Sequence, residues 1–410
     1  MSIVVFRNAA LLVPGEAELR PGHDVLVEGG RIREVSDRPI RSDAARTVDV
    51  AGRTLMPGLI DCHVHTVVTN QNFRANELTP NVFVTLRAVP MLEAILMRGF
   101  TTVRDAGGAD WALAEATAQG LIRGPRIFPS GKALSQTGGH GDFRPRADQF
   151  TPCACAFHLG AIARVVDGVD AVRIAAREEI AKGATQIKVM ASGGVVSPND
   201  PVHFLGYSEA ELRAIVEEAE NASTYVMAHA FTPRAIRRAV DCGIRTIEHG
   251  NLVDAETARH VAAKGAYAVP TTIVFEALIR DGARYGLPPE SVAKLADVGE
   301  AGLRALELWR AAGVKLGYGS DLQAETQLHQ SGELRIRAEV MGAAAVIDSA
   351  TRIGAEILNR TGELGVIAPG AIADLLVVDG DPLRDIGLLQ DQGRRLRAIV
   401  KAGAFCKNEL

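Results

Sequence analysis

The chain has 410 residues, 47% of them hydrophobic and 23% charged, and its 45 basic and 49 acidic residues leave a formal net charge of -4. That length exceeds one typical domain and supplies ample material for a large core. The near-balanced charge, with Lys and Arg scattered, argues against the massed basic surface that nucleic acid requires, and no uninterrupted apolar run approaches the roughly 20 residues of a membrane span.

The opening stretch Met1-Ser2-Ile3-Val4-Val5-Phe6-Arg7-Asn8 lacks the basic head, long apolar segment and small-residue cleavage site of a signal peptide. The five cysteines (Cys62, Cys153, Cys155, Cys242, Cys406) show no framework spacing. Cys153-Ala154-Cys155 has no partner pair to complete a metal site and reads as loop. A soluble, cytoplasmic protein is expected.

Up to about residue 56 the pattern predicts short strands: Ile3 to Phe6, Asp24 to Glu28, Arg31 to Val35 and Arg46 to Val50, with Gly29-Gly30 as a two-residue hairpin turn. Then comes Pro57-Gly58-Leu59-Ile60-Asp61-Cys62-His63-Val64-His65, an apolar run ending in His-x-His. Side chains two apart on a strand share a face, so His63 and His65 look one way while Cys62 and Val64 look the other. Two imidazoles on one strand end can reach one metal ion.

Beyond this point a unit repeats: an amphipathic helical pattern stops at glycine and an apolar strand follows, at Gly99, Gly183, Gly243, Gly265 and Gly313. Glycine closes a helix in the left-handed conformation without a Cβ penalty. Ser208-Glu209-Ala210-Glu211 is a capping box leading into Leu212, Ile215, Val216 and Ala219 at helical spacing. Eight buried strands can be counted: Gly58 to His65, Thr101 to Asp105, Arg126 to Ser130, Gln186 to Ala191, Tyr225 to His229, Thr246 to His249, Tyr267 to Thr271 and Lys315 to Asp321. Eight strands alternating with helices predict an α/β fold, a (β/α)8 TIM-type barrel over 57–360. A doubly wound sheet would carry a Gly-rich phosphate turn after its first strand, where this chain has His-x-His. Ala373 to Val378 and Leu396 to Lys401 return to strand patterns. A small β-sandwich domain built from both termini, 1–56 plus 361–410, is therefore expected.

Barrel enzymes place their chemistry at the C-terminal ends of the strands. Those ends carry His63 and His65, Lys188, His229, His249 and Asp321, all metal-ligand types except the lysine. Ile187 and Val189 face the helices, so Lys188 points inward. A buried ammonium beside two cations would cost several kcal/mol or lose its proton. Two resolutions are open: a salt bridge to a carboxylate, or reaction of the neutral amine with carbon dioxide to a carbamate whose two oxygens bridge two metals.

The stretches Pro57 to His65, Ile187-Lys188-Val189-Met190-Ala191-Ser192-Gly193-Gly194, Ala228-His229-Ala230, Ile247-Glu248-His249-Gly250 and Gly319-Ser320-Asp321 resemble the metal motifs of the amidohydrolase superfamily. The likeness runs over essentially the whole chain, including Pro369-Gly370-Ala371-Ile372-Ala373-Asp374-Leu375. Leu134-Ser135-Gln136-Thr137-Gly138-Gly139-His140-Gly141-Asp142 and the Lys188 motif resemble its prolidase-like branch, related to imidazolonepropionases. That branch includes Xaa-Pro dipeptidases, carboxypeptidase-like dipeptidases and ochratoxin-hydrolysing amidases.

The resemblance implies two divalent metal ions, for which imidazole and carboxylate suit zinc. His63, His65 and Asp321 would hold the more buried ion and His229 and His249 the other, with carboxylated Lys188, formed with carbon dioxide, as the bridge. A shared hydroxide would attack the amide, and Asp321 would pass its proton to the leaving nitrogen. His140 would donate to the substrate's carbonyl or carboxylate. The loop from Ser192 to Tyr207 would close over the ligand, making His203 and Tyr207 contact candidates. Phe231 stands where the branch often has tyrosine, which removes a hydroxyl and leaves an apolar wall.

The expected substrates are small molecules, Xaa-Pro dipeptides or N-acyl amino acids. The alternatives are an amidase releasing a C-terminal Phe or another non-Pro residue, a cyclic amide or imidazolone hydrolase, and a non-catalytic scaffold that keeps the barrel. Homo-oligomerisation is left open.

Overall fold

The computed structural model describes residues 3–145, 147, 158–197, 199–285, 287 and 289–410. Cys153 and Cys155 lie outside them.

Both ends of the chain meet in one eight-stranded sheet. Its order is Ala404–Asn408, Leu396–Lys401, Leu375–Val378, Thr54–Pro57, Ile3–Leu11, Arg20–Glu28 and Arg31–Ser36, with Arg46–Asp49 added along Ile3–Leu11. Gly29 and Gly30 turn the predicted hairpin with φ of 59° and 80°, pairing Glu28 with Arg31. The termini are joined where Thr54–Pro57 runs antiparallel to Leu375–Val378. The sequence pattern does not predict Thr54–Pro57 or Ala404–Asn408, because neither alternates: all four residues of the first are buried and none of the second is. Val4, Phe6, Val25, Leu55, Leu375 and Val377 form the sheet's apolar cluster.

Between them lie two parallel sheets. One holds Leu59–Val64, Phe100–Asp105 and Arg126–Phe128; the other runs Ala163–Val165, Ala133–Ser135, Ile187–Met190, Val226–Ala230, Thr246–His249 and Tyr267–Val269. The segment expected as the eighth strand, from Lys315 to Asp321, makes one isolated bridge, Leu316 to Ala268. Its backbone then bonds to the first strand of the other sheet, through Cys62 N–H to the Tyr318 carbonyl (2.7 Å) and Asp321 N–H to the His63 carbonyl (2.8 Å). On its other side Ala268 N–H donates to the Lys315 carbonyl (3.2 Å) and Gly317 N–H to the Ala268 carbonyl (2.9 Å), and packing requires glycine in this segment. A Cβ at Gly317 would sit 2.4 Å from Ile357 and one at Gly319 2.5 Å from Val269.

The five helix-ending glycines all take positive φ: 92°, 90°, 98°, 69° and 77° for Gly99, Gly183, Gly243, Gly265 and Gly313. The capping box at Ser208 and Glu211 opens helix Glu209–Asn221, which buries Leu212, Ile215, Val216 and Ala219. These side chains meet Ile187 and Val189 in the largest apolar cluster, together with Ile236 and Ala239 from Pro233–Asp241. Each buried leucine or isoleucine contributes ~1.5–3 kcal/mol. Because Ile187 and Val189 are committed to the helices, the alternation of the strand sends Lys188 to the opposite face. No helix among the described residues is long and apolar enough to cross a membrane.

Candidate active site

The C-terminal strand ends converge. His63 is the penultimate residue of Leu59–Val64 and His65 lies one residue beyond its end, and both rings lie against Asp321: Nε2 of His65 is 3.2 Å and Nε2 of His63 3.4 Å from its Oδ1. Cys62 and Val64 pack into apolar clusters on the other side, as the alternation requires. Ligand atoms of His63, His249 and Asp321 all fall within 4.8 Å of one another. The ring centroids of His229 and His249 are 4.7 Å apart.

Two of these residues hold a backbone conformation that L side chains avoid. His249 has φ 70° and Asp321 φ 53°. Such geometry costs of order 1–3 kcal/mol and persists only where the surroundings impose it. At His249 its effect is visible: on Thr246–His249, Ile247 packs toward the helices, and the turn at His249 lets consecutive residues Glu248 and His249 both face inward.

Each ring is held by its outer nitrogen, which determines the nitrogen it offers. Nδ1 of His63 is 2.7 Å from Glu248 Oε2, Nδ1 of His65 is 3.0 Å from the Gly107 carbonyl, and Nδ1 of His249 is 2.8 Å from the Thr271 hydroxyl. These three present Nε2. His229 is reversed, with Nε2 3.1 Å from the Gly193 carbonyl, and so presents Nδ1.

Burial and the neighbouring His140, His249 and Lys188 hold His229 well below the usual imidazole range. His249 is lowered likewise, where burial with His63 and Lys188 outweighs the attraction of Asp321. Burial also pulls His65 down, but its hydrogen bond and charge contact with Asp321 pull harder and leave it raised. Asp321 is buried too, yet His63 and His65 keep its carboxyl well below the ordinary range. Lys188 is 2% exposed, and among the described residues its ammonium has no hydrogen bond or ion pair. Burial lowers it to about 8 against the opposing pull of Glu248 and Asp321. The imidazoles of His229 and His249, held neutral, and the ionised carboxylate of Asp321 converge in one place as donors that suit a divalent cation.

These groups line one cavity. Apart from His140 and Gln323 its remaining walls are apolar, including Phe73 stacked on Phe143 at 4.9 Å, and Ile162, Phe275 and Leu278. Phe231 belongs to them, stacked on His249 at 5.2 Å and edge-on to His229 at 4.8 Å. His140 lies on the cavity with its ring stacked on His229 at 4.1 Å. Its Nδ1 meets the Ser197 hydroxyl at 2.7 Å, and a Cβ on Gly194 would fall 2.0 Å from the ring, so only glycine fits there.

Tyr207 and His203 are placed elsewhere. Tyr207 is buried in the helix-facing cluster with Leu212, and its hydroxyl donates to the Val166 carbonyl at 2.9 Å. The residue before an N-cap commonly packs on the fourth helical residue, and Tyr207 and Leu212 stand at those positions around Ser208. That signal was legible beside the capping box. His203 is exposed, edge-on to Phe204, and does not line the cavity.

Several residues of the site carried no sequence signal of their own. Asp105 accepts from the backbone N–H groups of Gly107 (3.0 Å) and Ala109 (3.1 Å), shaping the loop whose carbonyl holds His65. Gln323 donates to Asp321 Oδ1 at 3.1 Å. Glu248 and Arg104 form a fully buried ion pair at 2.9 Å behind His63.

Residues 54–403 match a profile described as the amidohydrolase family. Among solved structures the chain is similar to an amidohydrolase, with 56% identity, a TM-score of 0.99 and 100% of each chain covered. It is also similar to a prolidase complexed with N-methylphosphonate-L-proline, with 57% identity, a TM-score of 0.98, and 99% of this chain and 100% of that one covered. Ochratoxinase from Aspergillus niger is 31% identical over 414 residues, 97% of this chain and 86% of its own length.

Proposed function

The chain belongs to the amidohydrolase family and is a hydrolase acting on amide C–N bonds; from that premise we propose that it releases the C-terminal amino acid of Xaa-Pro dipeptides or N-acyl amino acids. The observation that carries this reading is the convergence of His63, His65, His229, His249, Lys188 and Asp321 on one cavity. The likeness to a prolidase holding a proline phosphonate points to proline as the leaving group. In this reading 57–360 closes as a (β/α)8 barrel, and the eight-stranded terminal sheet folds as a β-sandwich domain of 1–56 plus 361–410.

His63, His65 and Asp321 would hold one divalent cation, His229 and His249 a second, and Lys188, as its carbamate, both. Zinc is the expected metal. When bound, such ions polarise a carbonyl oxygen and lower the pKa of water from about 15.7 toward 7. Lys188 is suited to its part because burial favours the neutral amine, whose lone pair attacks carbon dioxide to give the carbamate and a released proton. Asp321, kept ionised by the rings beside it, takes the proton of the attacking water and returns it to the leaving nitrogen, which departs as an amine. His140, pinned through Nδ1, turns its other edge toward the substrate's carbonyl or carboxylate. Phe231 covers the rings and keeps that wall free of water.

A second substrate reading has its own support: the stacked Phe73 and Phe143 with Phe231 and Phe275 suit an aromatic leaving residue, and a relative is an ochratoxinase. A panel of Xaa-Pro, Xaa-Phe and Xaa-Arg compounds with metal-replete protein separates the two. We expect kcat/KM for proline release to exceed that for phenylalanine by about 10-fold or more. Proline release absent across the panel rejects the first reading, and phenylalanine release above it favours the second.

A further inference from the structure

The four rings are not anchored alike. His65, His249 and His229 hand their outer nitrogens to a carbonyl, a hydroxyl and a carbonyl, all neutral. His63 alone among them has a carboxylate at hydrogen-bond distance there, with Nδ1 2.7 Å from Oε2 of the fully buried Glu248, whereas Nδ1 of His249 comes no nearer than 3.9 Å to Oδ2 of Asp321. That carboxylate is itself heavily tied. Arg104 reaches both of its oxygens, at 2.9 and 3.1 Å, and the Thr246 hydroxyl donates to Oε1 at 2.6 Å. Nε of Arg104 also donates to the carbonyl of Cys62, at 2.6 Å, directly before His63 in the chain. One charged cluster thus stitches Leu59–Val64 to Phe100–Asp105 and Thr246–His249, holding both the ring of His63 and the backbone that carries it.

A carboxylate facing Nδ1–H fixes the tautomer that leaves Nε2 free and raises that nitrogen's donor strength more than a neutral acceptor does. A lone buried carboxylate would be too costly to keep, and Arg104 supplies the compensating charge. We propose that Glu248, backed by Arg104, is a positioning residue that makes His63 the strongest donor of the centre, so that the cation held by His63, His65 and Asp321 is the more tightly retained of the two. This rests on the two-cation reading of the site.

Zn²⁺ retention by wild type, Glu248→Asp and Glu248→Gln, measured by competition with a chromophoric chelator, tests it beside metal-free melting temperature and kcat at saturating Zn²⁺. Aspartate keeps the charge for Arg104 but is too short to reach His63; glutamine keeps an acceptor but loses the charge. In both variants the tighter release step is expected to weaken by about 10- to 100-fold, with the looser step unchanged and kcat recovered at saturating Zn²⁺. Metal-free Glu248→Asp is expected to melt within a few degrees of wild type. A tighter step unchanged in both variants, or weakened only in proportion to a fall in melting temperature, overturns the proposal. Wild type that retains no Zn²⁺ overturns the metal centre itself, before any variant is compared.

Discussion

Asp321 occupies a strained left-handed conformation, with its carboxylate against His63 and His65, and in the proposed reaction it would carry the proton that the leaving nitrogen needs. Asp321→Asn keeps the shape and removes the basicity. With metal content confirmed unchanged by atomic emission, kcat is expected to fall by about 100-fold or more; full turnover would pass the role to another group. Lys188 carries a pH prediction. Its native pKa lies near 8 against 10.5 for the ordinary group, so between those values the unfolded chain binds the extra proton and native stability rises with pH. Metal-free wild type in CO2-free buffer should therefore gain stability relative to Lys188→Met as pH is raised from about 8 toward 10, by urea denaturation. A flat difference would mean that the amine is not buried as described. The alternation of an apolar strand already turned Lys188 inward on the page of the sequence. Its lack of any salt-bridge partner among the described residues was a tertiary fact, since partners from other strands cannot be read from one strand.

The helix-glycine-strand unit explains how the strand ends are delivered to one face. Every helix so ended turns back through a left-handed residue, so the next strand runs parallel to the last and its C-terminal end arrives on the same side. The cost of an L residue there is ~1–2 kcal/mol. Gly265→Ala meets nothing within 4 Å and should lose about that amount, whereas Gly243→Ala brings a Cβ to 3.0 Å from Val216 and should lose more. Urea denaturation should rank them in that order with kcat unchanged; equal losses would remove Val216 from the account. These elements were legible because their period and stop signal are local. Lys315 to Asp321 carries the same local signal and its backbone bonds on both sides, to Ala268 and to Cys62 and His63, while Gly317 and Gly319 admit close packing of Ile357 and Val269.

At the scale of the molecule the site is an assembly of distant parts. Its groups come from Leu59–Val64, Ile187–Met190, Val226–Ala230, Thr246–His249 and the segment ending at Asp321, so only the folded chain brings them together. A ligand that binds the native state alone stabilises it in proportion to its concentration, by about 2.7 kcal/mol at a hundred times its Kd. Chelation is expected to abolish hydrolysis and lower the melting temperature, and stepwise Zn²⁺ should restore both. A melting temperature indifferent to Zn²⁺ would argue against a metal centre of these residues. The terminal sheet bears on the same assembly, because Thr54–Pro57 leads through Gly58 into the strand that carries His63. A Cβ at Gly58 would lie 2.1 Å from Thr101, so that junction is packed to the backbone.

What the sequence determined by itself is most of the parts: periodicity specified the parallel strands and their helices, apart from the three-residue Ala133–Ser135 and Ala163–Val165, and residue type at the strand ends specified the candidates for binding a cation. Spacing along the chain has no access to contacts between strands. Which nitrogen each ring offers, the burial of Tyr207 under its own helix, and the Glu248–Arg104 pair behind His63 all depend on neighbours far away in sequence. Those were decided only when packing brought the neighbours within a few ångströms.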